Sequence, residues 1–313
     1  MKVQLVILII IVLSIGVKIV CLNYFDIPSP DAKIYNIYAK SLVETGQLSG
    51  ALHNIGFPFS LVFLQYFGAD TMVSQKIFTV FLSSLIIPVF YLFLRNYFAV
   101  KYAIIGSLFI AFDPRIIQNS ILGVTETLYL LLFVSSLVLL LRNNYWLAFL
   151  LGGIATVVRL EGLVLLPVMF LLAKKRPIPH FAVFFIPIIL TAVFFVNETG
   201  QDNVTTKIEK ETKMMQTIEK PVFIKQLLNS FIYLGWFTFP MFVFFIPTSF
   251  YFLGKQNIIK PYVLILCLGI TASTGVWAYL DAHDTRYFFH MYPFLTILVL
   301  LTWQKFFPNS YKV

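Results

Sequence analysis

The run LVILIIIVLSIGVKIVCL at residues 5–22 gives way, after a few residues, to IPSPDAKIYNIYAKSLVETGQLSG at 27–50. The first stretch is apolar over the roughly 20 residues that a helix needs to cross about 30 Å of hydrocarbon. It has no strongly basic leading region and no small-x-small cleavage site, so it reads as a retained first span and not as a signal peptide. The second stretch is a polar helix with punctuation at both ends. Ser29 is placed to cap it, Pro30 suits its first position, and Asp31 falls in its first turn. Tyr35 follows one turn later on the same face, with Tyr38 nearby, and Gly46 stops the helix. A membrane span followed at once by a capped polar helix carrying a single early carboxylate sets the expectation of an all-α, polytopic membrane protein with a helical first outer loop.

The rest of the chain extends that pattern. Of its 313 residues, 59% are hydrophobic and 12% charged, whereas soluble domains carry about 25% charged residues. Apolar runs at about 4–22, 73–94, 102–120, 127–141, 145–158, 160–173, 181–196, 231–253, 262–280 and 288–303 predict ten spans in one membrane domain, 1–313. Residues 23–70 form an outer loop with juxtamembrane helices. Its apolar piece GFPFSLVFLQYFG, 56–68, is too short to cross and suits a re-entrant or interfacial helix. A second outer loop covers 197–230, with two glycosylation-type tripeptides, at Asn197 and at Asn203.

Charge sets the orientation. Ten spans put Arg95, Lys101, Arg142 and Lys174–Arg176 on the same side as both termini, and no acidic residue shares that side. Retention of Lys and Arg in cytoplasmic loops makes it the cytoplasm. The chain is thus expected in the cell membrane, or in the endoplasmic reticulum membrane of a eukaryote. Its net charge of +9 is a cytoplasmic rim facing anionic membrane lipids, not a nucleic-acid surface. Cys21 and Cys267 belong to different spans at different depths, so no disulfide is expected, and two thiolates are too few for a metal site.

Ionisable residues at membrane depth are costly and mark either function or paired contacts. Here Asp113, Arg115, Glu126, Arg159, Glu161 and Arg286 all fall toward the outer face, whereas a pump or channel strings such groups through the full depth. Glu126 follows Thr125 at the start of a span, where the helix dipole favours a carboxylate. Arg159 and Glu161 are spaced to pair with each other, and Arg286 stands beside Tyr287, His283 and His290. Lys18 is expected to snorkel to the outer surface, and His180 to lie in a cytoplasmic loop. Asp281, His283, Asp284 and His290 offer metal-ligating atoms in a spacing that matches no ligand pattern, so a divalent metal is not favoured. Walker, dinucleotide-fingerprint and HExxH motifs are absent from the sequence.

In order along the chain, PSPDAKIYNIYAKSLVETGQ, NIGFPFSLVFLQYFGAD, AFDPRIIQNSILGVTETLYLLLF, TVVRLEGLVLLPV and HDTRYFFHMYPFL resemble the integral-membrane glycosyltransferases of the GT-C fold. The likeness is to the dolichyl-phosphate-mannose protein mannosyltransferase and aminoarabinose transferase type. It covers most of residues 1–175 and the region around Arg286. The resemblance implies transfer of a sugar from a polyprenyl-phosphate carrier to a protein, lipid or glycan acceptor at the outer or luminal face, with inversion. It makes Asp31 the catalytic carboxylate, with Tyr35 and Glu126 positioning the acceptor or the base. Arg286 and Arg159 would lie around the carrier's phosphate, and Tyr287 among the substrate-binding residues. Where some members carry a basic residue before the proline of the segment after the first loop, this chain has Asn54, Ile55 and Gly56, which leaves His53 as the nearest candidate. No D-x-D pair stands at Asp31, so a metal-assisted version of the reaction is not favoured. A transporter or flippase of a lipid-linked saccharide is the alternative from another class.

Overall fold

The computed structural model describes residues 3–24, 29–46, 55–173, 178–199 and 285–306, with Ile232 and Trp236. Every regular element among them is a helix. The chain divides into two compact units, Met1–Met169 with Ala173–Thr206 and Phe170–Leu172 with Lys207–Val313. The expected span 231–253 apart from Ile232 and Trp236, the span 262–280, the 200–230 part of the second outer loop, His53, Asp281, His283 and Asp284 lie outside the described residues.

In the first unit, α1 (Val3–Tyr24), α4 (Met72–Leu94), α5 (Val100–Phe112), α7 (Glu126–Leu141), α8 (Tyr145–Val158) and α10 (Ile178–Thr199) carry the apolar mass. Between α1 and α4 stand the polar α2 (Pro30–Thr45) and the short α3 (Gly56–Tyr66). Two described helices, α1 and α4, are long and apolar enough to cross a membrane, and several others are apolar but shorter. Helix α7 sits centrally, packed on α4 and α8, with α10 on the far side of α8 and α1 against α4 and α5. Leu130, Phe133, Val134 and Leu137 of α7 are wholly buried, as are Ile86, Ile87, Phe90 and Phe93 of α4. Helix contacts in an apolar environment depend on close packing and hydroxyl bridges, since no hydrophobic drive separates helix from lipid. Among the described residues such bridges include three, one of them from the Thr79 hydroxyl of α4 to the Ser120 carbonyl at 2.5 Å. The Ser14 hydroxyl donates to the Ala111 carbonyl at 2.9 Å and the Ser136 hydroxyl to the Ala148 carbonyl at 3.0 Å.

Three local expectations change. The apolar run 102–120 is not one helix: α5 ends at Phe112 and α6 (Pro114–Leu122) begins after Asp113. The Asp113 carboxylate accepts from the backbone N–H of Arg115 (2.8 Å) and Ile116 (3.4 Å), and Pro114 occupies the first helical position. Capping by a carboxylate with proline behind it starts a new helix whatever the hydropathy around it. The Arg115 guanidinium closes the corner with two hydrogen bonds back to Asp113. Lys18, expected at the surface, is fully buried, because it continues the Ile7, Ile10, Ser14 seam that packs inward, and its ammonium has no hydrogen-bond partner. His180 lies in the first turn of α10, against the rings of Tyr145 and Phe149, not in a loop.

After Val158 the chain leaves α8 through an extended Arg159 and makes a 3-10 turn, Leu160–Val164, before α9 (Leu165–Leu172). In the second unit a 3-10 segment, Thr285–Met291, leads into α11 (Tyr292–Phe306), whose residues from Tyr292 to Leu300 are all buried.

Candidate functional site

The polar helix α2 is held against the bundle by one amphipathic face. Ala32, Tyr35, Tyr38 and Ala39 are buried, whereas Lys33, Ile37 and Lys40 are exposed. That spacing is the three-to-four-residue stripe of a helix packed on one side. Ser29 precedes it without making a side-chain cap, so Pro30 and the following turn start the helix. Gly46 ends it in the left-handed conformation, its N–H donating to the Leu42 carbonyl. Tyr35 meets Phe57 of α3 edge to face, ring centres 5.4 Å apart, in a small core with Ala39 and Leu61 and with Leu64, Phe78 and Leu128 beside it. The α3 backbone comes close enough to α8 that a Cβ on Gly56 would stand 2.8 Å from the Val158 nitrogen.

One side chain fixes α2 in register. Gln75 of α4 is buried; its amide nitrogen donates to the Ala32 carbonyl (3.0 Å) and to the Gly123 carbonyl (2.7 Å), and its amide oxygen accepts from Asn36 (3.1 Å). Gly123 has φ +74, the left-handed conformation that ends α6 and turns the chain toward Glu126.

At the first residue of α7, Glu126 is buried and bonded through Oε1 to Arg159 Nη1. The same guanidinium nitrogen donates to the Thr125 hydroxyl at 3.3 Å, and Thr125 in turn donates to Glu126 Oε2 at 3.3 Å. Arg159 presents its fork, Nη2 and Nε, to Glu161 at 2.8 and 3.4 Å. The extended backbone at Arg159 sets its side chain free of α8, and the tight turn behind it brings Glu161 to the same guanidinium. A planar guanidinium engaged by two carboxylates is well satisfied, and its burial is tolerable for that reason.

Tyr35 joins this network to α2. Its hydroxyl and that of Thr125 share a hydrogen bond. Burial pushes the phenol far above the usual tyrosine value, Glu126 and Asp31 push it further, and Arg159 and Thr125 only partly offset them. Tyr35 is therefore a neutral hydroxyl at any physiological pH. Tyr129, one turn along α7 from Glu126, has a buried hydroxyl without a hydrogen-bond partner, within electrostatic reach of Arg159 and Glu161. Asp31 is half-buried and close enough to act on Tyr35.

The fold thus brings together Asp31, Tyr35, Glu126 and Arg159, contributed by α2, α7 and the end of α8. Arg286 is half-buried in the 3-10 segment of the second unit, where Tyr287 follows it. Thr125 and Gln75 were not singled out by the sequence. The signal for Gln75 was present, a Gln-Lys pair in an otherwise apolar run. The cluster holds three carboxylates, Asp31, Glu126 and Glu161, against one guanidinium. Among the described residues no group of three His, Cys, Asp or Glu side chains could hold a metal ion. With its Nε, Nη1 and Nη2 engaged, Arg159 is suited to holding carboxylates; an anion would have to share it with both glutamates. Compared with known protein families, curated proteins and solved structures, the chain matches none.

Proposed function

We propose that the chain is a multi-pass membrane glycosyltransferase of GT-C type, with ten spans and both termini in the cytoplasm. It would move a sugar from a polyprenyl-phosphate carrier to an acceptor at the outer or luminal face. The observation that carries the reading is the half-buried Asp31 within electrostatic reach of Tyr35, whose hydroxyl is hydrogen-bonded to Thr125 of the buried Glu126–Arg159–Glu161 network. Asp31 takes the proton of the acceptor hydroxyl as that oxygen attacks the anomeric carbon. The bond from that carbon to the phosphate oxygen breaks, and the polyprenyl phosphate leaves with the electron pair. General-base assistance of this kind contributes about 10²–10⁴-fold. A single displacement inverts the anomeric configuration. Tyr35, held neutral, offers a hydroxyl to the acceptor, and Arg159 holds Glu126 and Glu161 in place. Arg286 is assigned to the carrier's phosphate by the resemblance, with His53 the nearest candidate for the basic residue after the first loop, and Tyr287 to substrate binding. The reaction as written uses no metal or cofactor.

A flippase for a lipid-linked saccharide is the second reading, favoured by the interruption at Asp113 between α5 and α6, since broken helices build transporter sites. Purified protein in nanodiscs, given a labelled polyprenyl-phosphate sugar and candidate acceptors, separates the two. Transfer by the native chain and a loss of 100-fold or more in Asp31→Asn are expected. Undiminished transfer by the variant removes Asp31 from its role; carrier movement across vesicles without any transfer establishes the flippase.

A further inference from the structure

Gln75 belongs to none of the chemistry above, yet it touches both halves of the site. It is on α4, only 1% exposed, with the backbone beside Asp31 on one side of its amide and the turn leading to Glu126 on the other. We propose that Gln75 is a positioning residue, a crosspiece that sets the height of Asp31 over the Glu126–Arg159 pair.

Three features support this. Both hydrogens of its amide nitrogen are used on backbone carbonyls, Ala32 on α2 and Gly123 before α7, so the side chain spans two elements that touch each other little by themselves. Its oxygen accepts from Asn36, which with Ala32 lies on the turn of α2 holding Asp31 and Tyr35. The fit is close on the far side as well, because a Cβ on Gly123 would come within 3.4 Å of Gln75 Cγ and 3.5 Å of its nitrogen. The α2 carbonyl that Gln75 binds is one residue from Asp31, so a shift of this contact is a shift of the carboxylate. Reacting groups tolerate little of that, since a misplacement of about 1 Å can cost roughly 100-fold in rate.

Gln75→Leu keeps the volume and removes all three bonds; Asn36→Ala removes one and leaves Gln75 its two carbonyls. Hydrogen exchange of the full-length protein in nanodiscs, read by mass spectrometry, tests the crosspiece without reference to activity. We expect faster exchange in residues 30–46 and 120–126 of Gln75→Leu, a smaller change of the same kind in Asn36→Ala, and unchanged protection in α8. Unaltered exchange in 30–46, or a uniform loss of protection that includes α8, overturns the proposal.

The kinetic arm rests on the glycosyltransferase reading. There kcat falls tenfold or more in Gln75→Leu while KM for the carrier stays within twofold; a change in KM alone overturns the positioning role. A native protein without transfer activity defeats the functional reading, and the exchange result still decides on Gln75.

Discussion

Glu126 and Arg159, 33 residues apart in sequence, form a buried ion pair between the first residue of α7 and the residue at which α8 ends. Arg159 also holds Glu161, so its removal would strand two carboxylates, one of them almost fully buried. Breaking a buried pair by removing one partner costs about 3–5 kcal/mol. Arg159→Met is expected to lower the thermal midpoint sharply in detergent, and Arg159→Lys, which keeps the charge but not the fork, to fall between. Equal midpoints for the native chain and Arg159→Met would show that the pair does not hold α7 to α8.

Lys18 presents the opposite case, a buried ammonium without a hydrogen-bond partner. Leaving a buried polar group unsatisfied costs about 1–3 kcal/mol, and more when it is charged. Lys18→Met preserves length and packs the seam of α1 with an apolar chain, so its thermal midpoint should rise. A lower midpoint would contradict the unpaired geometry.

Alkaline stability follows from Tyr35. A tyrosine in the unfolded chain releases its proton near pH 10, about the usual value, while burial and the neighbouring carboxylates keep folded Tyr35 protonated well beyond that. The stabilisation is complete below about pH 10 and is lost as pH rises through the interval between the two values. Tyr97, in the loop after α4, is raised in the same direction by burial. Midpoints measured from pH 8 to 11.5 should fall above pH 10, less steeply in Tyr35→Phe; an identical slope would remove Tyr35 as a contributor.

Gly56→Ala should loosen α3. The added methyl meets the backbone of Val157 and Val158 at 2.9 and 2.8 Å, and backbone cannot swing aside as a side-chain tip can. Overpacking of this kind costs about 1–3 kcal/mol. Faster exchange in 56–66 is the expected result, and native-like protection there would mean that α3 and α8 part without cost.

Orientation is open to labelling. Asp70 and Asn143 are both exposed, before α4 and after α7 respectively. In cells carrying single cysteines in a background without the native two, an impermeant thiol reagent should reach position 70 and not position 143. Labelling of position 143 from outside would reverse the charge-based topology.

Much of the described bundle was legible in the sequence. Runs such as 73–94 and 145–158 correspond within a residue to α4 and α8, because hydropathy over a long window reports an element whatever its neighbours are. The shared face of Asp31 and Tyr35 was legible too, since a separation of four residues fixes it. The corner at Asp113 was not, because a single capped Asp-Pro step does not register in an average over 19 residues. Nor was the burial of Lys18, which depends on the face that α1 turns to α4 and α5. Gln75 illustrates the same limit: its carbonyl partners lie 43 and 48 residues away, and no local pattern encodes such a contact.

Three apolar helices of the first unit are short. At 1.5 Å per residue, the 13, 16 and 14 residues of α5, α7 and α8 measure about 20, 24 and 21 Å, against roughly 30 Å of hydrocarbon. On the proposed ten-span reading, with their cytoplasmic ends level, their outer ends would stop about 6–10 Å beneath the opposite boundary. On that reading the lipid around the bundle would have to thin to meet it, and the leaflet would dimple where Glu126 and Arg159 lie. Membrane thickness would then become a variable: in bilayers of longer acyl chains the dimple would deepen and its elastic cost would rise, so the protein would partition toward thin membranes by mismatch alone.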